Sequence, residues 1–166
     1  MSSGLGTGSG VMQVKGIPEL MDKLRALGAE KQVSTVLRAA VKAGAKVPRS
    51  EAAGQLAAMS SLQNPPKMHK THKGNLAMPG YASRHIGIQT FVSKDKQAAK
   101  AIIGPTDEAY YASSFVELGV PHYGIAPRPW LAPALADNRE YSVKQIGGAM
   151  RKKIEQIARK KKGVGK

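Results

Sequence analysis

The residues of this chain that could bind a metal ion are four histidines and the carboxylates, because the sequence contains no cysteine. His69 and His72 lie three positions apart, a spacing that on a helix could hold a metal ion. The lysines around them oppose a cation, and the nearby prolines oppose a helix. We therefore interpret the pair as solvated loop histidines and predict no bound metal. His85 and His122 complete the set.

Acid–base or nucleophilic chemistry has equally little support. Asp107, Glu108 and Glu117 are candidate carboxylates, but the first two are adjacent and would point apart on a strand. The sequence has no nucleophile elbow, no HExxH and no phosphate loop. Its Gly-rich start, MSSGLGTGSG, has no strand before it and no Lys-Ser/Thr after it. We predict a protein that is not an enzyme and that needs no cofactor.

Charge is the more informative property, with 26 Lys and Arg residues against 11 Asp and Glu and a formal net charge of +15. Such a balance favours anionic partners but does not determine a fold. The cations could meet a phosphate backbone or an acidic protein surface, or they could only make the chain soluble. The candidate contacts with an anionic partner lie in two clusters: Lys67, Lys70 and Lys73, and then Arg151, Lys152, Lys153, Arg159, Lys160, Lys161 and Lys162.

The elements that must position these residues follow from length and periodicity. A chain of 166 residues predicts one domain of ordinary size. No stretch approaches the ~18 apolar residues of a membrane helix, the start lacks a signal peptide, and the absence of cysteine fits a reducing compartment. We expect a soluble product of the cytosol with no membrane partner. The predicted divisions are a flexible arm over 1–15, a single domain over 16–158 that includes a basic mobile loop over 60–83, and a basic flexible tail over 159–166.

Helices are predicted on both sides of a hairpin. Pro18 begins a short amphipathic helix that stops at Gly28, and a long helix follows from Glu30 to about Met59, which Pro48 should kink or divide. Apolar and polar residues alternate over 86–93, and AKAIIGP follows the turn SKDKQ, which predicts a β-hairpin. The segment DEAYYASSFVELG fits a strand or a helix equally well, and another helix should run from about Pro133 to Ala158. The fold class is therefore α+β, with N-terminal helices and one C-terminal helix packed on a small antiparallel β-sheet.

A rigid segment surrounds the only tryptophan, because Pro127, Pro129 and Pro133 restrict the backbone near Trp130. Two interpretations remain open at this stage: the indole is an anchor in an interface with another subunit, or it plugs the core of its own chain. Glu117 could pair with Arg128 of the same chain or of a neighbour.

The stretch YYASSFVELGVPHYGIAPRPWLAPALADNREYSVKQIGGAMRKKIEQI carries a resemblance. It resembles the small neck and tail-component family of long-tailed double-stranded-DNA bacteriophages, whose signature has an aromatic-rich stretch ending in V/Y-E-F/H-G and later R-P-F-L-R-P-A-L. Here these elements read Val116-Glu117-Leu118-Gly119 and Arg128 to Leu135, with Trp130 in place of Phe and Ala132 in place of a basic residue. Upstream, Gly16 to Leu20 and Lys73 to Leu76 look like the family's opening and its turn before the hairpin.

The resemblance implies a structural virion protein of the phage neck, made in the host bacterial cytoplasm. Such a protein would form a homo-oligomeric ring, with a hexamer favoured, that joins the DNA-filled head to the tail. Its partners would be the adjacent head-closure and tail-terminator or tail-tube proteins, with genomic double-stranded DNA in the channel. The alternative is a basic nucleic-acid-binding accessory protein. The interface residues that the resemblance implies are Glu117, Gly119, Arg128, Pro129, Trp130 and Pro133.

Overall fold

The computed structural model describes residues 10–15, 18–26, 30–61, 69–70, 76–77, 80–96, 98–106, 109–119, 121–124 and 126–163. Helices dominate, and short strands lie between them. In chain order the elements are β1 (Gly10–Lys15), α1 (Pro18–Ala26), a 3-10 turn (Glu30–Gln32), α2 (Val33–Ser61), β2 (His69–Lys70), β3 (Leu76–Ala77), α3 (Tyr81–Arg84), β4 (Ile86–Val92), β5 (Ala98–Pro105), α4 (Ala109–Leu118), a 3-10 turn (Pro121–Tyr123), α5 (Leu131–Asp137) and α6 (Arg139–Gly163).

The predicted α+β class is confirmed, with N-terminal helices and C-terminal helices beside antiparallel strands. Within the described residues, the strands form two sheets, whereas one was predicted. The larger sheet has three strands in the order β1-β5-β4. The smaller is an antiparallel pair of β2 and β3, in which His69 lies opposite Ala77 and Lys70 lies opposite Leu76.

The predicted hairpin is formed by β4 and β5. The Ser93 amide donates to the Ala98 carbonyl at 2.9 Å, and the Thr106 amide donates to the His85 carbonyl at 2.8 Å, so the two ends of the ladder pair in antiparallel register. Ala99, Ala101 and Ile103 are buried on one face of β5. This alternation follows from the period of two along a strand and explains why the sequence pattern was sufficient to predict the hairpin.

Helix α2 continues through Pro48 as a single element, so this proline does not divide the helix. The Pro48 ring is fully buried. The apolar stripe that predicted the helix is buried as well, which fits the rule that packing of one face stabilises a helix more than propensity does. Its buried members include Val33, Val36, Leu37, Ala40, Val41, Ala45, Ala52 and Leu56.

The chain forms two compact units, whereas a single domain over 16–158 was predicted. The first comprises Met1–Gly10, Val47–Ile88 and Ile103–Asn138, and the second comprises Val11–Lys46, Gln89–Ile102 and Arg139–Lys166. Four boundaries fall inside β1, α2, β4 and β5, and the fifth falls between α5 and α6. Periodicity is continuous through each of these elements, so no change of composition marks the division.

Parts of both predicted flexible ends belong to regular elements. Residues Gly10–Lys15 of the predicted arm form β1, which pairs with β5, and the rest of the arm lies outside the described residues. At the other end, α6 continues to Gly163, since Lys and Arg are good helix formers. The predicted mobile loop over 60–83 contains β2, β3 and the first residues of α3, and the rest of its centre is not among the residues described.

The helices of the C-terminal third differ in two ways from what the sequence predicted. The segment after Pro105, which fitted a strand or a helix, contains the helix α4. The predicted single C-terminal helix is two helices, because Asn138 separates α5 from α6. The Asn138 Nδ2 group donates to the Ala134 carbonyl at 2.9 Å and also to the Glu51 carboxylate. Within the described ranges, no helix combines the length and the hydropathy that crossing a bilayer requires.

Candidate functional site

The candidate site is the junction between α4 and α5, where Glu117 binds the first turn of the second helix. Its Oε2 accepts hydrogen bonds from the backbone amides of Trp130 at 2.6 Å and Leu131 at 3.0 Å. Its Oε1 lies 3.4 Å from the amide of Ala132. The first amides of a helix have no partner within the helix, and a carboxylate there also interacts favourably with the helix dipole. Glu117 therefore ties the end of α4 to the start of α5.

Trp130 lies at the centre of this junction and is fully buried. Its indole Nε1 donates to the Ser113 carbonyl on α4 at 3.1 Å. The interpretation of Trp130 as an exposed interface anchor must therefore be corrected. The indole plugs the interior of its own chain, which was the other interpretation, because its polar N–H finds a partner there and its large apolar surface is removed from water.

Within the described residues, the Glu117 carboxylate binds the amides of Trp130, Leu131 and Ala132. The predicted pairing of Glu117 with Arg128 of a neighbouring subunit stays a prediction. Arg128 donates its backbone amide to the Val116 carbonyl at 2.8 Å. This bond leaves the guanidinium group on the surface, since Arg128 is exposed. The result is an exposed segment over 126–129 that is fastened to α4 at Arg128 and by the capped helix that follows it.

The remaining residues of the predicted interface belong to the same junction. Gly119 follows the end of α4 with φ of 69°, a left-handed conformation that glycine adopts without the steric cost of a Cβ atom. Pro129 is exposed, and Pro133 is half-buried in the first turn of α5. The structure thus brings all six predicted interface residues to one junction, although only part of the set is available to a partner.

The predicted basic residues are described in part. Arg151, Lys152, Arg159 and Lys160 are exposed on α6, and Lys153 is half-buried. Lys161 and Lys162 also lie on α6, Lys70 lies on β2, and none of these three side chains is described. Lys67 and Lys73 lie outside the described residues.

Lys144, Arg151, Lys152 and Arg159 are exposed on one side of α6, and the exposed Glu155 lies among them. Lys144 and Arg151 are seven residues apart, as are Lys152 and Arg159, and a separation of two turns returns to the same face. Ser142, Ile146 and Ile157 are buried on the opposite face. From Lys144 to Arg159 this basic face of α6 is about 22 Å long at 1.5 Å per residue. Such a face can follow a polyanion or an acidic protein surface.

The histidines that could have bound a metal are not gathered in the described part of the chain, where no three His, Asp or Glu residues approach closely enough to hold an ion. The His85 Nδ1 group donates to the Tyr81 carbonyl at 2.7 Å, and its ring stacks on Tyr81 with the centroids 4.0 Å apart. His122 is exposed, His69 lies on β2, and His72 is outside the described residues.

Two features of the structure were not predicted from the sequence. Ser113 supplies the carbonyl that accepts the indole hydrogen bond, and a backbone acceptor leaves no signal in the residue type. Phe91 is 44% exposed, although most other residues of its strand, β4, are buried or half-buried. A large aromatic residue at a polar position of the alternation was the available signal.

Comparisons with known proteins add no identification. No family model matches the chain, and neither the search of curated proteins nor the search of solved structures gave a match.

Proposed function

We propose that this chain is a structural virion protein at the head–tail junction of a long-tailed phage, where copies of it form a ring that joins the DNA-filled head to the tail. It works without catalysis and without a cofactor. The single observation that carries the proposal is the bond between the two parts of the motif. Glu117, in the V-E-L-G element, binds the amides of Trp130 and Leu131, in the R-P-W-L element.

This contact gives a physical reason for the V-E-L-G element and the R-P-W-L element to occur together in one motif. A carboxylate at the end of one helix and a short helix that begins fourteen residues later form one capped unit, with the indole buried between them. A chance match between isolated residues predicts no such contact. The contact thus supports the resemblance that implied the neck of a phage.

The same junction presents a stiff element to a neighbouring subunit. Residues 126–129 are exposed, two of them are prolines, and the segment is held at Arg128 and Trp130 by backbone hydrogen bonds. A contact element that is ordered before binding loses little conformational entropy on assembly. We therefore place the interface at Pro127, Arg128 and Pro129, and Trp130 positions this segment from inside.

The experiment is to disrupt the gene in the phage that encodes the chain and to examine the lysate by electron microscopy. We expect DNA-filled heads and separate tails, with complete virions restored by the wild-type chain supplied in trans. Complementation by Arg128→Ala should restore fewer joined particles than complementation by Arg139→Ala, an exposed arginine at the start of α6 that serves as the matched charge control. Normal numbers of complete virions without the chain would refute the proposal.

The basic face of α6 favours a second candidate, a nucleic-acid-binding accessory protein. In that case the purified chain should bind duplex DNA with an affinity that falls by several orders of magnitude between about 0.05 M and 0.2 M salt, as contacts with many phosphates require. Loss of this binding in Arg151→Ala/Lys152→Ala, together with normal joining of heads and tails in the gene disruption, would establish this candidate. Weak DNA binding with a joining defect would exclude it.

A further inference from the structure

The tip of the hairpin carries a cleft that the proposed function does not use. This hairpin cleft has a volume of about 300 Å³ and is lined by Phe91, Val92, Ser93, Ala98, Ala99 and Lys100. The Phe91 ring is 44% exposed at its wall. An aromatic ring beside an open cleft offers an apolar contact that solvent does not satisfy.

Beside the cleft, β4 is at the edge of its sheet, because the strand order is β1-β5-β4 within the described part of the chain. Ser93 and His85 direct their backbone groups toward β5. In an antiparallel ladder these directions alternate, so the backbone groups of Thr90 and Val92 point away from β5. The Ile86 carbonyl confirms the alternation, since it accepts a bond from Arg49 Nε at 2.7 Å instead of pairing in the hairpin.

The charged side chains near the edge of β4 indicate the kind of partner that fits there. Lys94 and Lys96 lie in the turn, and the Lys100 ammonium group is 5.5 Å from the centroid of the Phe91 ring. The single carboxylate of the turn, Asp95, accepts a hydrogen bond from the Ser93 hydroxyl group. A cationic tip beside an apolar cleft fits a partner with acidic and apolar side chains. Another cationic surface, such as the same edge of a second copy, fits poorly there because like charges repel.

We propose that the edge of β4 and the hairpin cleft bind an extended acidic segment of another protein, which adds a strand beside Thr90–Val92 and places an apolar side chain against Phe91. Backbone hydrogen bonds along the edge would supply affinity, while the lysines and the cleft would select the sequence. A nucleic acid would meet the lysines but has no backbone that matches the alternating donors and acceptors of a strand edge. The inference is independent of the proposed role in the virion.

The test uses the full chain and a short fluorescein-labelled peptide that alternates glutamate with valine, followed by fluorescence anisotropy. Two versions of the peptide carry N-methyl groups on alternate amides, in one register or the other. Only the amides on one face of an added strand donate hydrogen bonds to the edge of β4. The peptide with methyl groups on the other amides should therefore bind like the parent. The peptide with methyl groups on the donating amides should bind at least about tenfold more weakly. This readout changes nothing in the protein and cannot be confused with unfolding.

Variants of the protein complete the test. Phe91→Ala should weaken binding of the parent peptide about tenfold, as expected for an aromatic contact at the centre of an interface. Tyr141→Ala, which removes another half-exposed aromatic ring, should leave binding unchanged. Lys100→Ala should weaken binding more than Lys144→Ala, which removes the same charge from α6.

Four results would overturn the proposal: no saturable binding of the peptide, equal binding of both methylated peptides, equal loss in Lys100→Ala and Lys144→Ala, or no loss in Phe91→Ala. Two other results would show that a different molecule binds at this edge. Binding of duplex DNA that Phe91→Ala abolishes would identify a nucleic-acid site. Self-association in sedimentation experiments that Phe91→Ala abolishes would identify a second copy of the chain.

Discussion

Removal of the Glu117 carboxylate should destabilise the first unit of the chain by an amount that the hydrogen bonds allow us to calculate. In Glu117→Ala, the amides of Trp130 and Leu131 lose an acceptor at 2.6 Å and 3.0 Å. Hydrogen bonds to a charged group contribute about 1.5–3 kcal/mol each, and the longer contact with the exposed Ala132 amide adds little. At the lower end of that range the loss is about 3 kcal/mol. For a chain of this size it corresponds to a decrease in Tm of about 6–12 °C.

The assay is thermal and urea unfolding followed by circular dichroism and by the fluorescence of Trp130, the only tryptophan of the chain. Glu117→Gln retains one acceptor oxygen without the charge, so we expect about half of the loss. Glu155→Ala is the matched control, because this exposed carboxylate on α6 changes the net charge equally. If Glu117→Ala and Glu155→Ala unfold within about 0.5 kcal/mol of each other, the capped junction does not stabilise the chain and our reasoning fails.

Three further predictions follow from burial, space and charge. Trp130→Ala should lower the free energy of unfolding by about 3–5 kcal/mol in the isolated chain, and a Tm near that of the wild type would contradict its burial. Gly44→Ala should destabilise the chain, by about 1–3 kcal/mol, because a Cβ atom there would lie 2.6 Å from an isoleucine side chain of α6. Gly54→Ala, on the same helix but with no atom from outside the adjoining helix backbone within 4 Å of the new methyl group, should stabilise the chain by about 0.5–1 kcal/mol. Urea denaturation measures the change in the free energy of unfolding for both variants, and changes of equal sign would show that the two sites do not differ as described. Reversal of charge in Arg159→Glu/Lys160→Glu should reduce joining of heads and tails in a salt-dependent way, measured by counting joined particles, and unchanged joining would leave these cations a role in solubility alone.

Periodic elements could be predicted from the sequence because their cause is local. The alternation over 86–93 and the apolar stripe of α2 each reflect one buried face, and both appear in the structure. The division at Asn138 was not predictable in the same way, because it depends on a side-chain bond to Glu51, which is 87 positions away in the sequence. The two compact units also escaped prediction, since all of their boundaries but one lie inside continuous elements.

The candidate site shows the same limit. Sequence order was sufficient to select Glu117 and Trp130 as residues of one site, but not to assign what each does. A carboxylate near an arginine and an indole among prolines fit an interface as well as a core. Whether these residues belong to an interface or to the core depends on where the Arg128 and Trp130 amides point. In a segment without periodicity, the residue types do not indicate the direction of the backbone.

The most direct test of the proposed role is the number of copies of this chain in purified, DNA-filled virions, measured by mass spectrometry against isotope-labelled peptides of known amount. A ring at the head–tail junction predicts a small and constant number of copies per particle, with six favoured by the resemblance, and the same number in particles purified at low and high salt. Absence of the chain from complete virions, or an amount that varies with salt as for a bound contaminant, would contradict the proposal.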